Sequence, residues 1–200
     1  GCQEVVCTQP SSITGYTVTE ETQLNVATGF SVTATCAAGY ESTGAGPVAT
    51  TCGATSGDYS LSGCQEVVCT QPSSITGYTV DNTQLNVATG FSVTATCAAG
   101  YESTPGGAGP AATTCGAASG DYSLSGCQEV VCTQPSSITG YTVANTELNV
   151  VTGFTVTAAC ATGYESTGAG PAATTCGAVS GDYSLSGCSL CAIGQYQDST

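Results

Sequence analysis

The sequence predicts an all-β fold: a tandem array of small β modules stapled by disulfides and extended into an elongated rod or filament. Three observations carry this. Apolar and hydroxyl residues alternate strictly over short runs, as in Phe30-Ser31-Val32-Thr33-Ala34-Thr35-Cys36. A period of two sends alternate side chains to opposite faces of a strand. Fourteen cysteines recur at regular spacing in 200 residues. Nearly the same text also returns every 62 to 63 residues. A fixed period of that size marks a repeat architecture and governs how every other feature is read.

The seam between repeats is Gly57 to Cys69, which recurs at Gly120 to Cys132. Its second half opens the chain at Gly1 to Cys7, and its first half returns at Gly181 to Cys188. Three modules follow. Module 1 spans 7–64, with Cys7, Cys36, Cys52 and Cys64. Module 2 spans 69–127, with Cys69, Cys97, Cys115 and Cys127. Module 3 spans 132–188, with Cys132, Cys160, Cys176 and Cys188. Residues 65–68 and 128–131 read as linkers, 1–6 as the end of a preceding module with its linker, and 189–200 as the start of a different repeat. Because Gly1 falls inside a seam, the chain is expected to be a segment of a longer protein.

Within module 1 the alternating runs are Tyr16/Val18, Leu24/Val26, Phe30 to Cys36, Val48/Cys52 and Tyr59/Leu61. That gives roughly five short strands per module, a usual strand number for a small sheet domain. Gly, Pro and Ser clusters separate the runs, and no segment has a helical period with caps. The copies differ in two places. One is the segment Thr19 to Thr22, Asp81 to Thr83 and Ala144 to Thr146; the other is the Gly-rich turn, where module 2 reads STPGGAGP in place of STGAGP. Insertions gathered at such spots are expected to mark surface loops.

Composition removes whole classes of function. The net charge is −14, with no Lys, Arg, His, Met or Trp. Without cations nothing neutralises phosphates, which excludes nucleic acid and anionic membrane surfaces as direct partners. Zinc sites draw on CxxC pairs or histidine. Here the one CxxC is Cys188 to Cys191 and histidine is absent. The cysteines therefore read as a disulfide framework of an extracellular, secreted or cell-surface chain. A module of about 60 residues with so few large apolar residues is marginal without such staples.

The residues around the cysteines resemble a known family. Thr8-Gln9-Pro10 follows the first cysteine. Gly-Phe-Ser-Val-Thr-Ala-Thr-Cys-Ala-Ala-Gly-Tyr (29–40) surrounds the second, and Gly follows the third. An aromatic then Ser precede the fourth cysteine, and four residues link one module to the next. This pattern resembles the sushi, or complement control protein, module. The resemblance implies first-to-third and second-to-fourth pairing: Cys7–Cys52, Cys36–Cys64, Cys69–Cys115, Cys97–Cys127, Cys132–Cys176 and Cys160–Cys188. Sequence alone permits three pairings per module. Tyr59, Tyr122 and Tyr183 stand where the family carries Trp. Beyond Cys188, the run Cys188-Ser-Leu-Cys191-Ala-Ile-Gly194-Gln-Tyr196 resembles the start of an ephrin-receptor-like or tumour-necrosis-receptor-like cysteine-rich repeat. Such mosaics resemble extracellular filament proteins of protists, flagellar hair (mastigoneme) proteins among them. Cys2 and Cys191 are left unpaired within the chain by this scheme.

No enzyme is expected. Activating Ser or Thr requires a base poised near neutrality, and no His or Lys is present to act as one. The adjacent acids Glu20 and Glu21 read as a solvated loop rather than a catalytic pair. Three sets of acids recur once per module: Glu4/Glu66/Glu129, Glu41/Glu102/Glu165 and Asp58/Asp121/Asp182. They read as solvating charges, with a line of weak calcium or polycation sites as the rival reading. No cofactor is expected. Thr and Ser exceed a quarter of the chain, and no Asn-x-Ser/Thr sequon occurs. Outward hydroxyls can carry O-linked sugars or can simply suit a wet sheet face. The expected function is structural, a component of an extracellular fibre, stalk or surface filament whose partners are neighbouring modules or copies of itself. An adhesion or ligand-binding ectodomain is the alternative.

Overall fold

The computed structural model describes residues 3–192. Module 1 contains β1 (Tyr16–Gln23), β2 (Ser31–Cys36), β3 (Tyr40–Ser42), β4 (Val48–Thr50), β5 (Ser60–Ser62) and β6 (Cys64–Glu66). Module 2 repeats the order with β7 (Tyr78–Gln84), β8 (Ser92–Cys97), β9 (Tyr101–Ser103), β10 (Ala111–Thr113), β11 (Ser123–Ser125) and β12 (Cys127–Glu129). Module 3 has β13 (Tyr141–Glu147), β14 (Thr155–Cys160), β15 (Tyr164–Ser166), β16 (Ala172–Thr174), β17 (Ser184–Ser186) and β18 (Cys188–Leu190). In each module the first strand pairs with the second, the third with the sixth and the fourth with the fifth. The fold is all-β, with three two-stranded ribbons per module.

Two sequence expectations fail here, each for a local reason. The variable segment Thr19–Thr22 is not a loop but lies inside β1, and its counterparts lie inside β7 and β13. In β1 the register runs Tyr16↔Cys36 and Val18↔Ala34, then slips so that Glu20 faces Thr33 and Glu21 faces Val32. The extra residue, Thr19, is taken up as a β-bulge, which adds one residue to a strand without altering its partner. In β13 the pairing runs unbroken from Tyr141↔Cys160 to Asn145↔Val156. The second failure concerns Leu24 to Val26, which form no strand. Asn25 makes a single bridge with Val6, and its Oδ1 caps the turn at Ala27 N, 2.9 Å away. The sixth strand, formed by the seam itself, brings the total per module to six.

The strict alternation of β2 becomes strict alternation of exposure, with Val32, Ala34 and Cys36 half-buried and the hydroxyl residues out. Tyr59 is the centre of the module at 1% exposure. Phe30 meets it edge to face at 5.8 Å. Phe91–Tyr122 and Phe154–Tyr183 repeat that contact at the same distance. Edge-to-face packing sets the positive rim of one ring on the negative face of the other. Cys7, at 1% exposure, and Cys52 complete this core in module 1.

Six disulfides join Cys7–Cys52, Cys36–Cys64, Cys69–Cys115, Cys97–Cys127, Cys132–Cys176 and Cys160–Cys188. Closing loops of 28 to 46 residues, each contributes roughly 3.5 to 4 kcal/mol by the chain-entropy estimate. Six such bonds indicate an oxidising environment. Cys2 lies outside the described residues, as do 193–200. Cys191 is a half-buried thiol with no disulfide partner among the described residues.

By contacts the chain forms two compact units, and the division runs through module 2. The first unit comprises Gly1–Ser74, Val80–Thr94 and Ala112–Leu124; the second comprises Ile75–Thr79, Ala95–Ala111 and Ser125–Thr200. The first unit holds linker 65–68 and the second holds linker 128–131, each with the residues of both flanking modules that bond to it.

Candidate functional site

The seam is where the repeated acids converge. In the first unit, β6 pairs with β3, with Tyr40 opposite Glu66 and Glu41 opposite Gln65. The next residue, Val67, is bonded on both sides. Its N–H donates to Gly39 O of module 1 at 2.8 Å, and its carbonyl accepts from Val87 N of module 2 at 2.9 Å. Cys69 N then donates to Leu85 O at 2.9 Å. Residues 65–68 thus run from the end of β6 to an isolated bridge between Val68 and Asn86, bonded to both modules rather than left as a free tether.

Glu66 serves both neighbours as well. The Tyr40 hydroxyl of module 1 donates to its Oε1 at 3.3 Å, and Asn86 Nδ2 of module 2 donates to its Oε2 at 2.6 Å. Partial removal from water, then the negative charge of Glu66, raises the Tyr40 pKa above the ordinary phenol value. Glu41 reaches across the seam. Its Oε1 accepts from Gln65 Nε2 at 2.5 Å, and its Oε2 accepts from the backbone N–H of Ala118 at 3.0 Å. Ala118 lies in the turn after Cys115 in module 2, where Ser119 holds a left-handed φ of 59°. That turn is tied down by the linker and by its own module: Ser119 N donates to Val68 O at 2.9 Å, and Thr70 Oγ1 donates to Asp121 Oδ1 at 2.7 Å.

Steric fit at the seam depends on glycine. A Cβ on Gly39 would lie 2.5 Å from Ala88 Cα, and Gly39 has φ +81°. No other residue tolerates both the conformation and the approach.

The second unit rebuilds the same contacts. Glu102 Oε1 accepts from Val179 N at 2.8 Å and from Gln128 Nε2 at 3.4 Å. Glu129 accepts from the Tyr101 hydroxyl at 3.4 Å and from Asn149 Nδ2 at 2.5 Å. The Tyr101 pKa is raised by the same causes in the same order. Val130 N donates to Gly100 O at 2.8 Å, and Val150 N donates to Val130 O at 2.9 Å. A Cβ on Gly100 would lie 3.0 Å from Val151 Cγ2.

These bonds correct the view of the repeated acids as merely solvated. The linker and Gly-Tyr-Glu sets accept hydrogen bonds that join modules. The aspartate set ties the first strand turn to the last within a module, as Thr8 Oγ1→Asp58 (2.9 Å) and Thr133 Oγ1→Asp182 (2.8 Å) repeat. Among the described residues no three Asp, Glu or Cys side chains gather into a metal-sized group. In the linker and Gly-Tyr-Glu sets the outer members bond on one side only among the described residues. Glu4 accepts from Asn25 Nδ2 at 2.7 Å, while Glu165 meets no described amide of a following module. Leu190, 71% exposed, stands where Glu66 and Glu129 stand.

One position breaks the threefold pattern. Tyr122 and Tyr183 donate their hydroxyls to Asn82 and Asn145 Oδ1, both at 3.0 Å. Those asparagines donate in turn to Gln71 (2.7 Å) and Gln134 (2.8 Å). In module 1 Glu21 occupies the asparagine position. The Tyr59 hydroxyl is buried and makes no well-formed hydrogen bond. Burial, and then the Glu21 carboxylate near it, raise its pKa. Glu20 and Glu21 lie on a strand edge with Gln9 and Ile13 rather than in a loop. Compared with protein-family models and with curated proteins, the chain matches none.

Proposed function

We propose that this chain is a structural segment of an extracellular fibre, stalk or surface filament. The observation that carries the reading is the seam, made twice with the same partners in the same roles. When each module grips its neighbour through equivalent contacts, a run of modules follows a repeating geometry. Of the side chains that recur across the array, Glu41 and Glu102 with Glu66 and Glu129 join modules, and the aspartate set and the Phe–Tyr pairs hold each module itself. None is left as a module-specific anchor of the aromatic or arginine kind that recognition surfaces use. No catalytic role is assigned to any residue. The disulfide pattern and the buried tyrosine in the tryptophan slot support a divergent sushi module. The absence of Lys and Arg also denies trypsin-like proteases a cleavage site, which suits an exposed fibre. Its partners on this reading are further modules and other copies of the chain.

Electron microscopy of the native material tests the proposal. Filaments or stalks with a regular repeat are expected. Discrete particles that bind a soluble or cell-surface ligand would overturn it in favour of a recognition ectodomain.

A further inference from the structure

The disulfides define a covalent route through each module that is much shorter than the chain. In module 1 a pull entering at Cys7 crosses to Cys52 through a bond whose Cα atoms are 5.5 Å apart. It then follows the backbone from Cys52 to Cys64. That segment is twelve residue steps, and so are Cys115 to Cys127 and Cys176 to Cys188. Five more steps carry it from Cys64 to Cys69, and five from Cys127 to Cys132. The route is therefore the same length in every module, although the modules themselves are not. The added Thr19 of module 1 lies between Cys7 and Cys52. The STPGGAGP insertion of module 2 lies between Cys69 and Cys115. Both length changes fall in the portion that the first disulfide bypasses, where they leave the route unchanged.

We propose that the array is a tension-bearing tether of fixed maximum extension, with force carried by the first-to-third disulfide and the twelve-residue segment behind it. This rests on the fibre reading for its use in the organism, but the extension limit is a property of the chain itself. At about 3.5 Å per residue, seventeen steps extend to roughly 60 Å per period, against roughly 215 Å for the 62 steps of an unbridged period. The second-to-fourth disulfide does not shorten the route. Its path from Cys7 to Cys36 and across to Cys64 is 29 steps, longer than twelve, and stays slack.

Single-molecule stretching of the whole chain between terminal handles tests this. Oxidised chain should reach its limit at about 60 to 65 Å per period. Reductant should free the 45 bypassed steps of module 1 and their equivalents, lengthening each period by about 150 Å, more than threefold overall. The limit is set by covalent connections, so it is readable even in a variant that fails to fold. Cys36→Ala/Cys64→Ala should leave it unchanged. Cys7→Ala/Cys52→Ala should add the difference between 29 and twelve steps, about 60 Å, to one module. Equal limits with and without reductant, or a longer limit in the first variant, would overturn the proposal. Neither result bears on whether filaments are seen by microscopy.

Discussion

Glu41 of one module accepts a hydrogen bond from the backbone N–H of Ala118 in the next, 77 residues further on. Glu102 repeats it on Val179 across the same separation. A carboxylate that accepts two donors at a seam is worth more than one exposed on a surface, because its loss strands a turn amide as well. Glu41→Ala is expected to weaken the first seam by about 1 to 2 kcal/mol. Hydrogen exchange at the Ala118 amide should rise several-fold, with the Val179 amide unchanged as the internal control. Equal protection at Ala118 in the variant would show that the contact contributes nothing.

Gly39 and Gly163 share a position in the repeat and a positive φ, but among the described residues a Cβ on Gly39 would meet Ala88 and one on Gly163 would meet nothing. Gly163→Ala should cost about 1 kcal/mol, the conformational term alone. Gly39→Ala should cost that plus the displacement of the Ala88 backbone, about 2 to 4 kcal/mol in all. Denaturant titration of the two variants gives the difference directly. Equal losses would mean that the seam has room for a side chain.

Tyrosine hydroxyls at the module centres predict an asymmetry. Tyr122→Phe gives up the bond to Asn82 and leaves that amide oxygen unpaired, at a cost of about 1 kcal/mol. Tyr59→Phe gives up no well-formed bond and should be neutral or slightly stabilising. Glu21→Asn should install the missing network in module 1, gaining up to about 1 kcal/mol and lowering the Tyr59 pKa. The chain contains ten tyrosines, so the difference between the phenolate titrations of the unmodified and Glu21→Asn chains isolates that phenol.

Acid should loosen module 3 at a particular place. Glu147 Oε1 accepts from Asn149 N at 2.8 Å, where modules 1 and 2 use the neutral Gln23 and Gln84 for the same turn, each at 2.9 Å. The Asn149 backbone bond, and then the Thr152 hydroxyl, hold the Glu147 pKa below the ordinary carboxylate value. A depressed folded pKa contributes stability that is complete above the unfolded value and lost as pH falls through the folded one. Protection of the Asn149 amide should therefore fall as the pH drops below the ordinary carboxylate range, with the Asn25 and Asn86 amides, which are bonded to neutral Gln23 and Gln84, unaffected. Glu147→Gln should abolish the dependence. Parallel behaviour of all three amides would contradict the assignment.

With a net charge of −14 and no basic side chain, the modules repel their neighbours in other copies. Protonation near pH 4 removes that repulsion, so bundling is expected there and with millimolar divalent cations. Light scattering that stays flat from pH 7 to pH 3 would count against it.

The pairing into ribbons has no local signal, but the β class was legible because β2 and β8 alternate apolar and hydroxyl residues without a fault and β14 departs only at Ala159. The seam was not. Glu41 and Ala118 lie too far apart in sequence for any local pattern to link them, and a once-per-module acid looks the same whether it is solvated or bridging. β6 has no alternation at all, since its three residues are set by pairing with β3. The segment at Thr19 was misread because length variation usually marks loops, whereas a bulge lets a strand absorb one residue. The disulfide pairs came from family resemblance and not from spacing, which allows three schemes.

Gly39, Tyr40 and Glu41 on one end of a module fit the turn and linker of the module after it, and every module carries both halves of that fit. A duplication or loss of one whole period through recombination between near-identical copies joins a matched pair of ends wherever it occurs. No compensating substitution is then needed. Crossovers that change the count by a fraction of a period would leave a carboxylate facing no amide and a cysteine facing no partner. The number of modules can thus change by whole periods with the fit intact, since the bonds at each end use backbone amides and tolerate Ala88 or Val151, and Ala118 or Val179, in the facing turn.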